Sequence, residues 1–294
     1  MNLSYNDYYT TSGNGDTWTV HLKPCTQKST TYYAECIRAA KLISENASSE
    51  IVLMFSGGID SEYMLNIFKD AEVDFRVAIL SYGVYNAHDT HFAFEYCNAN
   101  GIVPEVVDVN LAQLINEGKI SEIAKLSKCC AYQMCSVMEG ISKIDGTIIM
   151  ANGESVFSKH TQGETAGNWY WTEHERITSY RNWYKEKNID GTPDFLKYTP
   201  ELTASYLLEP EVIQLVNDEL PDARNSGEIK HKLYNKYYDI APRHKYTGWE
   251  RLERSPLYDD LVKSIFIHDL KKDYNGVSYM SYDDIHHQMF KEIE

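Results

Sequence analysis

The sequence has no apolar run approaching the ~18 residues that read as a membrane span, and it is short of positive charge. Its 28 Lys and Arg face 43 Asp and Glu, a formal net charge of −15. Phosphodiester backbones are held by clustered Lys and Arg, so this deficit disfavours a nucleic-acid partner. The opening stretch, Met1 to Asp16, lacks the basic start and apolar centre of a secretion signal. No membrane partner is expected, and a cytoplasmic location is. Cysteine is scarce: six residues, at 25, 36, 97, 129, 130 and 135, never spaced Cys-x-x-Cys. A chain of 294 residues can bury a core without disulfides, so a reducing compartment is the simpler expectation. Cys129, Cys130 and Cys135 are read as core residues, with any further role left open. His160, His174, His286 and His287 have no metal-ligand spacing, and no internal repeat is visible.

Apolar periodicity supplies the positive signal. Residues 30–46 read as a helix capped by Thr30 or Thr31. Ile51 to Phe55 is a continuous apolar run and reads as a strand buried on both faces. A helical face follows at Tyr63, Met64, Ile67 and Phe68. Phe75 to Leu80 is a second strand, His88 to Asn100 a helix stopped by Gly101, and Val103 to Val109 a third strand. Leu111 to Lys143 is helical, in pieces around Gly118 and Ser127, and Gly146 to Ala151 is a fourth strand. Strands alternating with helices imply an α/β fold with a parallel sheet covered on both faces. Ligands bind such sheets beyond the carboxyl ends of the strands, which singles out the loops after residues 55, 80, 109 and 151. Past residue 165 the strand runs disappear. Tryptophan, tyrosine and charge intermingle there, and prolines punctuate helical stretches such as Pro210 to Asn217 and Ser226 to Tyr238. The expected organisation is an N-terminal extension with a helix (1–49), a nucleotide-binding unit (50–165) and a mostly helical region for substrate or partner (166–294).

Ser56-Gly57-Gly58-Ile59-Asp60-Ser61 lies between the first predicted strand and its helix. Two glycines let the backbone turn sharply and approach an anion closely. The helix N-terminus behind them offers free N–H groups and a positive dipole end. Ser56 and Ser61 add hydroxyl groups, and Asp60 can hold a Mg²⁺ that faces phosphate.

This Ser-Gly-Gly-x-Asp-Ser pattern resembles the PP-loop of the ATP pyrophosphatase superfamily, which includes asparagine, GMP and NAD synthetases and tRNA-thiolating enzymes. The resemblance spans roughly residues 50–165. It implies a doubly wound, Rossmann-like sheet of the adenine nucleotide alpha hydrolase type. It also implies ATP and Mg²⁺ as cofactors, and cleavage between the α- and β-phosphates to give an adenylated substrate and pyrophosphate. Ser81, Tyr82 and Gly83 follow the second strand, where the family contacts adenosine. Asn152 and Gly153 follow the fourth, in a stretch loosely similar to that of NAD synthetases, with Glu154 as a second metal ligand beside Asp60. Arg243 and Lys245, cations in an acidic chain, are placed to stabilise charge on the transferring phosphates.

Position 2 is Asn rather than the Cys of a built-in glutaminase, and no Cys follows Cys135 to serve a zinc site or a reductase. A stand-alone activating enzyme remains. Its expected partners are a small-molecule substrate and a separate glutaminase or other nucleophile donor, and a homodimer is compatible with the sequence. Amide formation on a carboxylate, as in asparagine synthetase, is favoured. A tRNA- or nucleobase-modifying adenylating enzyme and a non-catalytic adenine-nucleotide sensor are the alternatives. The loop reading predicts that Asp60→Ala abolishes Mg²⁺-dependent ATP turnover while circular dichroism stays native; retained turnover would refute it.

Overall fold

The computed structural model describes residues 8–163, 166–220, 222–223, 225–243, 248–259, 262 and 270–293. A short antiparallel hairpin, β1 (Tyr9–Ser12) and β2 (Thr19–Leu22), precedes α1 (Tyr32–Asn46). Thr31 caps α1 by accepting from the Ala34 amide at 3.3 Å. The alternation follows as β3 (Ile51–Met54), α2 (Ile59–Asp70), β4 (Arg76–Ser81), α3 (Ala87–Ala99) and β5 (Glu105–Asp108). Next come α4 (Leu111–Asn116), α5 (Lys119–Ser127), α6 (Tyr132–Ile141) and β6 (Thr147–Ile149). Gly118 and the left-handed Lys128 separate the three helices of this predicted helical run.

The central sheet has five parallel strands in the order β5-β4-β3-β6-β9, where β9 is Gly191–Thr192. Successive strand residues face opposite sides, and each side has its own core. Leu53, Phe55, Val77, Ile79 and Ile149 pack with α1, α2, Ala93 and Cys97 of α3, and α8 (Pro200–Leu207). Val52, Met54, Ala78, Val107 and Ile148 pack with α4, α5, α6 and α7 (Thr178–Lys187). Burying each of the Val, Leu, Ile, Met and Phe side chains among these is worth about 1.5–3 kcal/mol. The protein is therefore a doubly wound, Rossmann-like α/β fold.

The region beyond residue 165 is richer in strand than its sequence pattern predicted. It supplies β9 to the central sheet, and β8 (Trp169–His174) is the middle strand of a second sheet. β8 pairs antiparallel with β7 (Phe157–Lys159) and β10 (Val277–Ser281). Trp169, Trp171 and Glu173 all point inward, so a buried charge masked the alternation. The longer helices of the remaining described region are α9 (Pro210–Val216), α10 (Gly227–Tyr234) and α11 (Tyr282–Phe290). All six cysteines are free and buried. Among the described residues no helix is long and apolar enough to cross a membrane.

Joining β9 to β6 requires a glycine. Gly191 has φ +122°, and a Cβ there would fall 2.0 Å from the Ile148 carbonyl oxygen. Gly191→Ala is expected to cost roughly 2 kcal/mol or more through strain and lost pairing, read as a lower denaturant midpoint; an unchanged midpoint would show that the pairing tolerates a side chain.

Candidate nucleotide site

The carboxyl ends of β3, β4 and β6 open onto a cavity of about 310 Å³. Ser56, Gly58, Asp60 and Ser61 line it beyond β3, Tyr82, Asn86, Asp89 and Thr90 beyond β4, and Met150, Ala151 and Asn152 at the end of β6. Tyr180 of α7 and Gly248 close its sides. Four residues of the predicted loop thus face one cavity.

The loop geometry follows from its glycines. Gly57 has φ +76°, and a Cβ on it would lie 2.7 Å from the Ala93 amide nitrogen, so only glycine lets the turn press against α3. Gly58 is the N-cap of α2 and makes no side-chain cap, which leaves the first amides of the helix to a ligand. The Ser56 and Ser61 hydroxyl oxygens lie 3.1 Å apart, and Ser61 donates to the Gly58 carbonyl at 2.9 Å.

Asp60 and Glu154, distant in sequence, meet through Lys230 of α10. The Lys230 Nζ donates to Asp60 Oδ2 at 2.9 Å and to Glu154 Oε2 at 2.8 Å. Tyr234, one turn along the same helix, donates to Asp60 Oδ1 at 2.9 Å. An aromatic stack sets this position: Tyr234 lies 4.1 Å from Tyr63 of α2, which stacks on Tyr32 of α1 at 6.1 Å. Burial, and then the Asp60 charge beside it, push the Glu154 carboxyl above the ordinary glutamate range. Burial opposes the charge on Lys230, but Asp60 and Glu154 outweigh it and hold the ammonium above the usual lysine range. Two oxygen ligands sharing one cationic partner fit a hard divalent ion such as Mg²⁺.

The other predicted residues divide. Tyr82 lines the cavity, held through its hydroxyl by Ser136 at 2.9 Å. Gly83 has open space around its Cα, and the Ser81 hydroxyl accepts from the Gly83 amide at 3.2 Å. Asn152 lines the cavity with its Nδ2 buried and without a hydrogen-bond partner. Gly153, at φ +92°, lets the chain pass close to Lys197 and Asp194. Arg243 donates to the Gly57 carbonyl at 2.8 Å and pairs with Glu62 of α2, so both contacts brace the loop and its helix. Lys245 lies outside the described residues. His88, Asp89 and Glu250 bring donor atoms within 4.8 Å of one another at the cavity's edge, a grouping the linear spacing of the sequence does not suggest.

Sequence reasoning missed Lys230, Tyr234 and Tyr180. Lys230 stands in Glu-Ile-Lys-His-Lys-Leu-Tyr, where nothing separates it from an ordinary solvated helix lysine. The separation of Lys230 from Tyr234 by four residues places them on one face, but only the fold shows what that face meets.

Arg243 therefore carries a stability prediction. Arg243→Ala leaves Glu62, itself only 5% exposed, without its cation. The expected loss is about 3 kcal/mol or more, with Glu62→Gln in the same background recovering much of it. Equal stability accompanied by lost turnover would move Arg243 onto the phosphates instead.

No protein-family model matches the chain, and no curated protein matches it. Seven chains among the solved structures match. One of them is an NH3-dependent NAD synthetase from Campylobacter jejuni subsp. jejuni NCTC 11168 in complex with the nitrate ion. It is 14% identical, with 71% of this chain and 99% of that chain covered and a TM-score of 0.31. A likeness at that level carries no chemistry across, and the functional reading rests on this chain's own residues.

Proposed function

We propose that the protein is an ATP pyrophosphatase-type enzyme that adenylates a small carboxylate substrate for attack by ammonia or another nucleophile. The observation carrying this reading is that Glu154 meets, through Lys230, the Asp60 that lines the cavity into which the glycine turn also opens. The amides at the start of α2 and the hydroxyls of Ser56 and Ser61 bind the β- and γ-phosphates. The nucleoside lies over β4 against Tyr82. Asp60 and Glu154 would hold Mg²⁺, which when bound would neutralise charge on the departing pyrophosphate. A carboxylate oxygen of the substrate attacks the α-phosphorus, the bond to the bridging oxygen breaks, and pyrophosphate leaves with that electron pair. The nucleophile then adds to the acyl carbon, expels AMP and loses a proton.

Asn152 and Tyr180 suit the acceptor end of the cavity. Tyr184, one turn along α7 from Tyr180, donates to the Ile148 carbonyl at 3.3 Å, which places Tyr180 toward the carboxyl end of β6. An uncharged amide and phenol can donate both to a carboxylate and to the acyl phosphate made from it. An arginine there would favour the ground state. Residues 166–294 complete the substrate side, and ammonia comes free or from a separate glutaminase. The cytoplasmic location and the homodimer belong to the same proposal. The net charge of −15 weighs against a tRNA substrate.

Product analysis with α-labelled ATP and a panel of carboxylates tests the reading: AMP and pyrophosphate should appear in equal amounts, and only with acceptor present. ADP as product would overturn it, and ATP binding without turnover would favour a sensor. Asn152→Ala should raise KM for the acceptor about tenfold, the loss of one hydrogen bond, with KM for ATP nearly constant; the opposite split would return Asn152 to the nucleotide.

A further inference from the structure

We propose that Lys230 is the resident counter-ion of the Asp60–Glu154 pair and competes with the divalent metal for it. The inference takes the identity of the polyphosphate from the function proposed above, but the competition itself needs only these residues. Lys230 Nζ sits 2.9 Å from Asp60 Oδ2 and 2.8 Å from Glu154 Oε2, so its ammonium occupies the position between the carboxylates that a metal held by both would take. The pair needs a cation between its members at every stage, because two carboxylates sharing a cleft repel. Lysine suits an exchangeable cation. Its ammonium is a point charge on a flexible four-carbon stem, whereas arginine's planar fork locks onto a carboxylate. The side chains of Lys230, Asp60 and Glu154 are 20%, 29% and 35% exposed, so an entering ion can reach all three.

Exchange improves the charge balance. Two carboxylates and one ammonium sum to −1, and the same carboxylates with a divalent ion sum to zero. The displaced ammonium is released beside the loop where the polyphosphate lies, and it adds a positive charge there. Tyr234 remains on Asp60 Oδ1 at 2.9 Å and keeps that carboxylate aimed while its other oxygen changes partner. Lys230 is thus a positioning residue in the free protein and a phosphate ligand in the loaded one.

The test measures Mn²⁺ binding by electron paramagnetic resonance, without nucleotide, in the wild type, Lys230→Met and Lys230→Gln, each checked for a native circular dichroism spectrum. Removing the competing ammonium should tighten Mn²⁺ binding about tenfold or more, while ATP turnover at saturating metal falls. Lys230→Arg should bind Mn²⁺ no more tightly than the wild type. Unchanged or weaker Mn²⁺ binding in whichever neutral variant folds would overturn the competition. Should pyrophosphate release fail for every acceptor while the Mn²⁺ result holds, the proposed function falls and the counter-ion role stands. The reverse pattern removes only the role of Lys230.

Discussion

Bringing two carboxylates together beside a cavity is an electrostatic burden, and the surroundings of the site are organised to bear it. Asp60 arrives on the first turn of α2 and Glu154 just past β6, from strands that are direct neighbours in the sheet. The ammonium that keeps them together comes from a helix far along the chain, and aromatic stacking helps to hold that helix down. Tyr32, Tyr63 and Tyr234 link α1, α2 and α10 in one column. The high tyrosine content, which as composition indicates nothing specific, is partly spent on orienting this site.

A second, largely buried set of charges lies behind the far wall. Lys197 pairs with Glu173, both side chains 1% exposed, and Arg181 Nε meets Asp194 Oδ2 at 2.7 Å. Tyr9 of the N-terminal hairpin donates to Glu173 at 3.0 Å, and the Arg181 guanidinium lies 3.9 Å above its ring. Such pairs add little net stability over an apolar core, but losing one member is costly, so they penalise alternative packings. Their geometry reaches the cavity through Gly153, which packs on Lys197 and Asp194 directly beside Asn152. The Asn152 backbone is fixed at both ends, its amide on the Pro193 carbonyl at 3.2 Å and its carbonyl on the Leu196 amide at 3.0 Å. The orientation of a cavity-lining amide thus depends on ion pairs that lie almost entirely out of solvent.

The sheet was legible where local pattern and tertiary environment agree. The apolar run at Ile51 to Phe55 is long enough to announce a strand buried on both sides, and glycines at 57 and 58 mark the turn after it. The second sheet was illegible because Glu173 is buried by an ion pair with Lys197, so burial there does not follow hydrophobicity. β9 carried no signal at all: two residues, glycine and threonine, join the sheet through backbone bonds alone. At the site, the loop was readable because its turn demands unusual backbone, with Gly57 at φ +76°. Lys230 and Tyr234 were not, since a helical lysine and tyrosine acquire meaning only from what the fold sets opposite them.

The lateral position of β9 bears on how the chain can be dissected. A fragment ended at residue 165, where the sequence changes character, would keep the glycine turn and most of the sheet but leave β6 as an outer strand. Its unpaired amides and carbonyls, flanked by Ile148 and Ile149, would offer a docking edge for other chains. Autonomy of residues 1–165 is therefore limited by two residues contributed from beyond that boundary.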